Sequence, residues 1–276
     1  KKQGAAMRSS SMSALVRAAT ASPLSARGMH ACVVILSIFA LHAGAFELPS
    51  RHLQGTAAPL SRPRARTAPR ASARAVLVGR TAPDFDADAV FDQEFTEVCL
   101  SDYLDKGMYV VLQFVPYAFS MVCPTEVTSF SDRYDEFAKL NAQVLTVSVD
   151  SKFALLAWAQ TERRNGGVGD PRFPLVSDLK KGIARAYGVL DEEEGVALRA
   201  LFIIDPEGVV QYECANALSF GRDPEDTLRV LRAVQYVRRH PEELCPAGWS
   251  PGTPTISTDV EESRKYFRDF QADPIA

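Results

Sequence analysis

The sequence predicts an α/β fold: a central mixed β-sheet flanked by helices, with an irregular arm at the C-terminal end. Three observations carry that expectation. Tyr109 to Val115 is a short, almost wholly apolar and β-branched run, the pattern of a strand buried on both faces; Gln143 to Val149 reads as another buried strand, and Ala200 to Ile204 as a further strand. Apolar residues at helical spacing, such as Val127, Phe130, Tyr134 and Phe137, lie between those runs. The composition, 46% hydrophobic and 24% charged over 276 residues, is that of an ordinary globular protein of one or two domains.

Charge is placed unevenly. Residues 1–75 carry 11 of the 31 Lys and Arg residues and a single acid, Glu47, which leaves 20 basic against 33 acidic residues in the remainder, a charge near −13. An acidic body argues against nucleic acid as a partner. Ala31 to Phe39 is apolar, is preceded by Arg27 and is followed by Ala43-Gly44-Ala45. Too short to span a bilayer comfortably, it reads as a signal-peptide core cleaved after Ala45, with a short membrane anchor as the rival reading. Residues 46–75 hold six Arg, four Pro and one acid, the composition of a transit peptide that cannot bury a core. A signal-like leader over 1–45 followed by a transit-like segment over 46–75 resembles the bipartite leaders of plastids bounded by extra membranes. The expected destination is the plastid (chloroplast) stroma, with the secretory pathway as the alternative and no membrane association in the mature form.

The folded body is expected over 76–240, with a C-terminal arm over 241–276. Gly79 to Phe85 is an extended, Pro-marked entry, and Ala89 to Phe91 with Phe95 to Leu100 reads as two strands around Asp92-Gln93. Ser101 to Leu104 is a short turn or helix before the strand at 109–115. Asp150-Ser151 is a helix-start signal for 152–164, and Leu175-Val176 is a further strand. Asp205-Pro-Glu-Gly208 is a turn of hairpin length into Val209 to Cys214, with helices at roughly 179–186 and 224–239.

Phe114 to Glu126 concentrates the chemistry. Pro124 lacks an N–H and has a fixed φ, which suits a first helical turn, and Glu126 sets a negative charge near the positive end of the dipole. Cys123 is therefore expected at a helix start just beyond a buried strand, where unpaired N–H groups favour a thiolate. The competing reading of one Cys at such a junction is a small buried hydrophobe. Pro116 and Ser120 precede it by seven and three residues, in the pattern Pro-x-x-x-Ser-x-x-Cys followed by Pro-Thr-Glu. A hydroxyl three residues before the Cys can accept from one group and donate to another, and so can orient a bound oxygen beside the sulfur.

This pattern resembles the active-site loop of the peroxiredoxins, thiol peroxidases, and over residues 77–270 the chain is most similar to the typical two-cysteine members. The resemblance implies a thioredoxin-like fold and no cofactor. It implies that Cys123 attacks a peroxide positioned by Pro116, Ser120 and Arg199, and that Arg222 helps hold Arg199 and Glu126 in a network. It also implies that Cys245, in His240-Pro-Glu-Glu-Leu-Cys245-Pro-Ala-Gly-Trp249, resolves the sulfenic acid from the partner subunit, and that thioredoxin or a similar dithiol reduces the disulfide. A homodimer, a decamer built as a pentamer of dimers, and repair by sulfiredoxin are further family expectations.

Rich in Pro and Gly, the segment around Cys245 is expected to be irregular and accessible. Metal binding by Cys245 and His240 is the competing reading, but no C-x-x-C or clustered His completes a tetrahedral set. Cys99 and Cys214 fall in apolar strands and read as structural, with Cys214 an alternative resolver; Cys32 lies in the leader. Gly166, Gly167 and Gly169, with Tyr266-Phe267 on a C-terminal helix, resemble the paired motifs of peroxide-sensitive members, whose tail slows unwinding of the active-site helix. The plainer reading is a loop and a surface cap. Four positions depart from the family: Ser120 where Thr is usual, Tyr117-Ala118 for a Leu-Asp pair, and Met121 for an aromatic. The two alternative functions are a holdase chaperone in ring assemblies and a one-cysteine peroxidase in which Cys245 is idle.

Overall fold

The computed structural model describes residues 76–270, so the expectations for 1–45 and 46–75 lie outside the described residues. Its first elements are a hairpin of β1 (Asp86–Phe91) and β2 (Glu94–Cys99). The two-residue turn between them has Asp92 at φ 51° and Gln93 at φ 57°, the left-handed pair whose twist matches a right-handed hairpin. Helix α1 (Ser101–Leu104) leads into β3 (Tyr109–Phe114), α2 (Cys123–Asp132), α3 (Tyr134–Lys139), β4 (Ala142–Ser148) and α4 (Lys152–Gln160). Then come β5 (Leu175–Ser177), α5 (Gly182–Ala186), the small ladder of β6 (Leu190–Asp191) and β7 (Val196–Ala197), β8 (Arg199–Ile204), β9 (Val210–Asn216) and α6 (Pro224–Arg239). The chain closes with β10 (Glu243–Leu244), β11 (Ile256–Ser257) and α7 (Val260–Phe270).

The seven-stranded sheet runs β2-β1-β5-β4-β3-β8-β9. β3, β4 and β5 are parallel to one another and the remaining pairings are antiparallel, which makes the sheet mixed as expected. Strand alternation sends Val111 and Val115 to one face, against Val127 and Phe130 of α2, Phe137 of α3, Leu155 and Trp158 of α4 and Leu228 and Leu231 of α6. Val110, Leu112 and Phe114 go to the other, against Leu100, Ile183, Ala184 and Tyr187. With both faces covered, β3, β4 and β8 are buried along their whole lengths. No helix of the described residues is long and apolar enough to cross a membrane.

The structure corrects several sequence boundaries. The expected helix over 152–164 ends at Gln160, because Thr161 is extended at φ −81°, ψ 133°; only a 3₁₀ turn at Arg163–Asn165 follows. The helix expected from 179 begins at Gly182, where the Asp178 carboxylate receives the N–H groups of Ile183 (3.1 Å) and Ala184 (2.7 Å). The helical spacing from Val127 to Phe137 spans two helices, divided at Arg133 with φ −100° and ψ 8°. The β6–β7 ladder was not anticipated. The Pro- and Gly-rich segment around Cys245 is not wholly irregular, since Glu243 and Leu244 pair with Ser257 and Ile256.

Candidate active site

Cys123 opens α2 as anticipated, with Pro124 directly behind it. β3 ends at Phe114, Val115 makes one more ladder bond to Val147 O (2.9 Å), and buried Pro116 turns the chain away from the sheet. The loop then depends on specific hydrogen bonds. Ala118 N donates to Asp150 Oδ2 at 2.6 Å, and Cys123 N donates to Ser120 Oγ at 3.3 Å. Between them Phe119 adopts φ 57°, a left-handed conformation rarely taken by an aromatic residue.

Cys123 is completely buried, but its sulfur is not confined to hydrocarbon, because Arg199 Nη1 lies 3.2 Å from Sγ. The same nitrogen donates to Glu126 Oε2 at 2.7 Å, and Arg199 Nε donates to Leu218 O at 2.8 Å. Arg222 holds Glu126 from the opposite side: its Nε and backbone N reach Oε1 at 2.7 and 2.8 Å, and its Nη2 reaches Oε2 at 3.0 Å. Nη2 also donates to Phe114 O (2.9 Å) and Nη1 to Ala200 O, so Arg222 ties α2 to the ends of β3 and β8. The three ionised side chains are at most 4% exposed. One carboxylate between two guanidinium groups leaves one positive charge uncompensated, and the atom placed to answer it is Cys123 Sγ.

Such a site can hold a sulfur anion and donate hydrogen bonds to an oxygen that gains charge beside it. A polar recess of about 320 Å³ bounded by Thr125, Glu126, Ser129, Gly221 and Arg222 adjoins the network. A roomier groove of about 630 Å³, lined by Phe85, Asp88, Lys152, Leu179 and Tyr187, contains none of its residues, so volume alone does not find the chemistry.

The structure thus brings together Ser120, Cys123, Glu126, Arg199 and Arg222. Cys245 lies elsewhere, just after β10, half-buried, and neither it nor Cys123 is in a disulfide in the single chain. Burial, and then the Glu243 carboxylate, push the Cys245 thiol above its ordinary value. Glu243 itself accepts from Tyr236 and Thr255 hydroxyls. Among the described residues, His240, Glu242 and Glu243 are the one group whose ligand atoms lie close enough to share a metal ion, and Cys245 is not part of it. Cys214 is half-buried on β9 and Cys99 contacts Ser101 Oγ at 3.0 Å.

Gly166 and Gly169 have φ 80° and 59°, Gly166 O accepts from Trp158 Nε1 (3.0 Å), and a Cβ on Gly167 would sit 2.0 Å from Thr161 O. Tyr266 lies on α7, which packs on β11, and stacks on Phe270 with centroids 5.0 Å apart. Among the described residues no hydrogen bond or ring contact joins Tyr266 or Phe267 to the 166–169 loop.

The Asp150-Ser151 helix-start signal holds, with Ser151 capping α4, but sequence reasoning missed that the Asp150 carboxylate turns to the active-site loop. Parallel β3 and β4 pair Phe114 with Val147, so whatever follows each strand must converge at the same sheet edge. That rule was available from the strand assignments and points to 150 as a neighbour of 116–123.

Residues 78–213 match the AhpC/TSA family and residues 233–269 the C-terminal domain of 1-Cys peroxiredoxin. The chain is 55% identical over 191 residues to the chloroplastic 2-Cys peroxiredoxin BAS1 of Arabidopsis thaliana, covering 69% of this chain and 71% of that one. It is 56% identical over 192 residues to a chloroplastic 2-cysteine peroxiredoxin of Chattonella marina, covering 70% and 97%. Among solved structures, the reduced 2-Cys peroxiredoxin of Plasmodium vivax superposes with a TM-score of 0.68 at 37% identity, covering 70% of this chain and all of that one. Enterococcus faecalis AhpC gives 0.58 at 38% identity, covering 62% and 99%.

Proposed function

Because the chain belongs to the AhpC/TSA family and is a thiol-dependent peroxidase, we propose that Cys123 is the sulfur that peroxide oxidises and that Cys245 of a second copy resolves it. As in the family generally, the substrate is a peroxide, the reductant a thioredoxin-type dithiol and the working form an oligomer. The observation that carries the assignment of Cys123 is the contact of Arg199 Nη1 with its Sγ inside a buried network of net positive charge.

The Cys123 thiolate attacks the terminal oxygen of hydrogen peroxide or an organic hydroperoxide. The S–O bond forms as the O–O bond breaks, Cys123 becomes sulfenic acid, and the departing alkoxide or hydroxide takes a proton from water. Arg199 donates to the charge that develops, and Ser120, whose oxygen already accepts from Cys123 N, has its O–H free to donate to the peroxide. Pro116 shields the sulfur. The first turn of α2 then unwinds, Cys245 condenses with the sulfenic acid to a disulfide with loss of water, and an external dithiol reduces that disulfide by exchange. No cofactor enters this cycle.

Finer assignments follow from the same reading. Dimers assemble into a decamer, sulfiredoxin repairs overoxidised Cys123, and 166–169 with Tyr266-Phe267 tune hyperoxidation. Glu126 and Arg222 hold Arg199 in place. The chain is directed to the plastid stroma by a bipartite leader over 1–45 and 46–75; both named relatives are chloroplastic.

Peroxide consumption by residues 76–276 with thioredoxin as reductant tests the cycle. Activity is expected to vanish in Cys123→Ser. A peroxide-induced dimer on nonreducing gels is expected in wild type and absent in both Cys123→Ser and Cys245→Ser. A monomeric sulfenic acid in wild type would favour the one-cysteine route, which the match of 233–269 to a 1-Cys domain keeps in view. Holdase activity without peroxide consumption would favour the chaperone.

A further inference from the structure

Asp150, two residues beyond the end of β4, belongs to no part of the charged network around Cys123, yet its side chain is tied into the active-site loop. Its Oδ2 accepts from Ala118 N at 2.6 Å and from Ser148 Oγ at 2.6 Å, and its own carbonyl accepts from Ser177 Oγ at 2.6 Å. Ser148 is buried at the end of β4 and Ser177 ends β5, so one strand holds the carboxylate and the next holds the backbone of Asp150, with the carboxylate aimed at a third chain segment.

That segment is strained. Phe119 follows Ala118 directly and has φ 57°, with its ring half in solvent and 6.4 Å from Trp158. A left-handed aromatic residue persists only where its surroundings over-determine the backbone. On one side of Phe119 the constraint is the Ala118–Asp150 bond; on the other it is Ser120 Oγ accepting from Cys123 N at 3.3 Å. Releasing the first lets Phe119 relax to negative φ, which turns the chain and carries Ser120 away from Cys123 N.

We propose that Asp150 is a positioning residue for the peroxidase reaction: its carboxylate clamps Ala118 N, holds Phe119 in its strained conformation and thereby aims Pro116 and Ser120 at the peroxide beside Cys123. It does not touch the reacting atoms, so its effect falls on the step that needs an oriented peroxide and not on the sulfur's intrinsic reactivity.

The reduced full chain is mixed in a stopped-flow instrument with hydrogen peroxide and, separately, with iodoacetamide, which alkylates Cys123 without needing a positioned oxygen. In Asp150→Ala, oxidation by hydrogen peroxide is expected to slow by about 10- to 100-fold, the scale of a small misplacement of reacting groups, while alkylation stays close to wild type. Asp150→Asn keeps an oxygen that can accept from Ala118 N and is expected to restore most of the peroxide rate. An unchanged peroxide rate in Asp150→Ala overturns the proposal. So does equal slowing of both reactions with a lowered melting temperature, or an Asn variant no better than the Ala variant. The inference rests on the peroxidase reading, and the assay separates the two: an inactive wild type sinks that reading, whereas an active wild type with an equally active Asp150→Ala sinks the clamp alone.

Discussion

Arg199 Nη1 and Cys123 Sγ lie 3.2 Å apart although 76 residues separate them in the chain. The contact exists because β8 runs antiparallel to β3, which places the start of β8 beside the end of β3 and so beside the start of α2. Replacing Arg199 by Ala removes both the charge next to the sulfur and a donor to the developing oxyanion. The second-order rate of Cys123 oxidation, followed by stopped flow, is expected to fall by about 10²–10³-fold, with Arg199→Lys intermediate because an ammonium keeps the charge but loses the planar fork.

Glu126 is the shared anion of two guanidinium groups in a site closed to water. Glu126→Ala leaves two buried cations without a partner, and the reduced protein is expected to lose about 3–5 kcal/mol of stability in urea unfolding. Peroxidase activity should fall with it, since Arg199 then has no carboxylate to orient it toward Cys123.

Cys245 is expected to show a pH dependence of definite sign. Its thiol is pushed up by burial first and by Glu243 second, so it stays protonated through neutral pH and the resolving step accelerates as pH rises. Glu243→Gln removes the carboxylate and shifts the alkylation profile of Cys245, measured in the Cys123→Ser background, toward lower pH. No shift, or a shift upward, would show that Glu243 does not act on this sulfur.

Gly167 has no room for a side chain, since a Cβ would meet the Thr161 carbonyl, a backbone atom that cannot swing aside. Gly167→Ala is expected to destabilise by about 1–3 kcal/mol, read as a lowered melting temperature. If the 166–169 loop and the tail act together on α2, truncation before Tyr266 and this substitution both make Cys123 harder to hyperoxidise, which mass spectrometry of peroxide-treated protein reads directly.

Much of the fold was legible because its strands announce themselves. β3 and β8 are buried along their full length, and that burial is what their largely apolar runs, interrupted only by Gln113 and opened by Arg199, imply. The turn at Asp92-Gln93 and the helix start at Cys123 were legible for local reasons, a polar pair between two apolar runs and a Pro at the first helical turn. The boundaries at Gln160 and Gly182 were not. There the chain stops or starts a helix because of Thr161 and the Asp178 carboxylate, choices made by backbone geometry and a side-chain cap that composition does not reveal. The β10–β11 ladder was hidden because two residues per strand carry no periodicity.

By itself the amino-acid order determined which residues could do the chemistry: a Cys behind Pro-x-x-x-Ser-x-x, an acid three residues on, and two arginines far along the chain. Only the tertiary structure decided that one carboxylate would hold both guanidinium groups and leave their surplus positive charge facing the Cys123 sulfur, and that the Asp150 carboxylate would reach the loop. The reason is that ion pairing and hydrogen bonding depend on distance in space, and sheet order, which folds positions 118, 123, 126, 150, 199 and 222 onto one edge, is fixed by the packing of the whole domain.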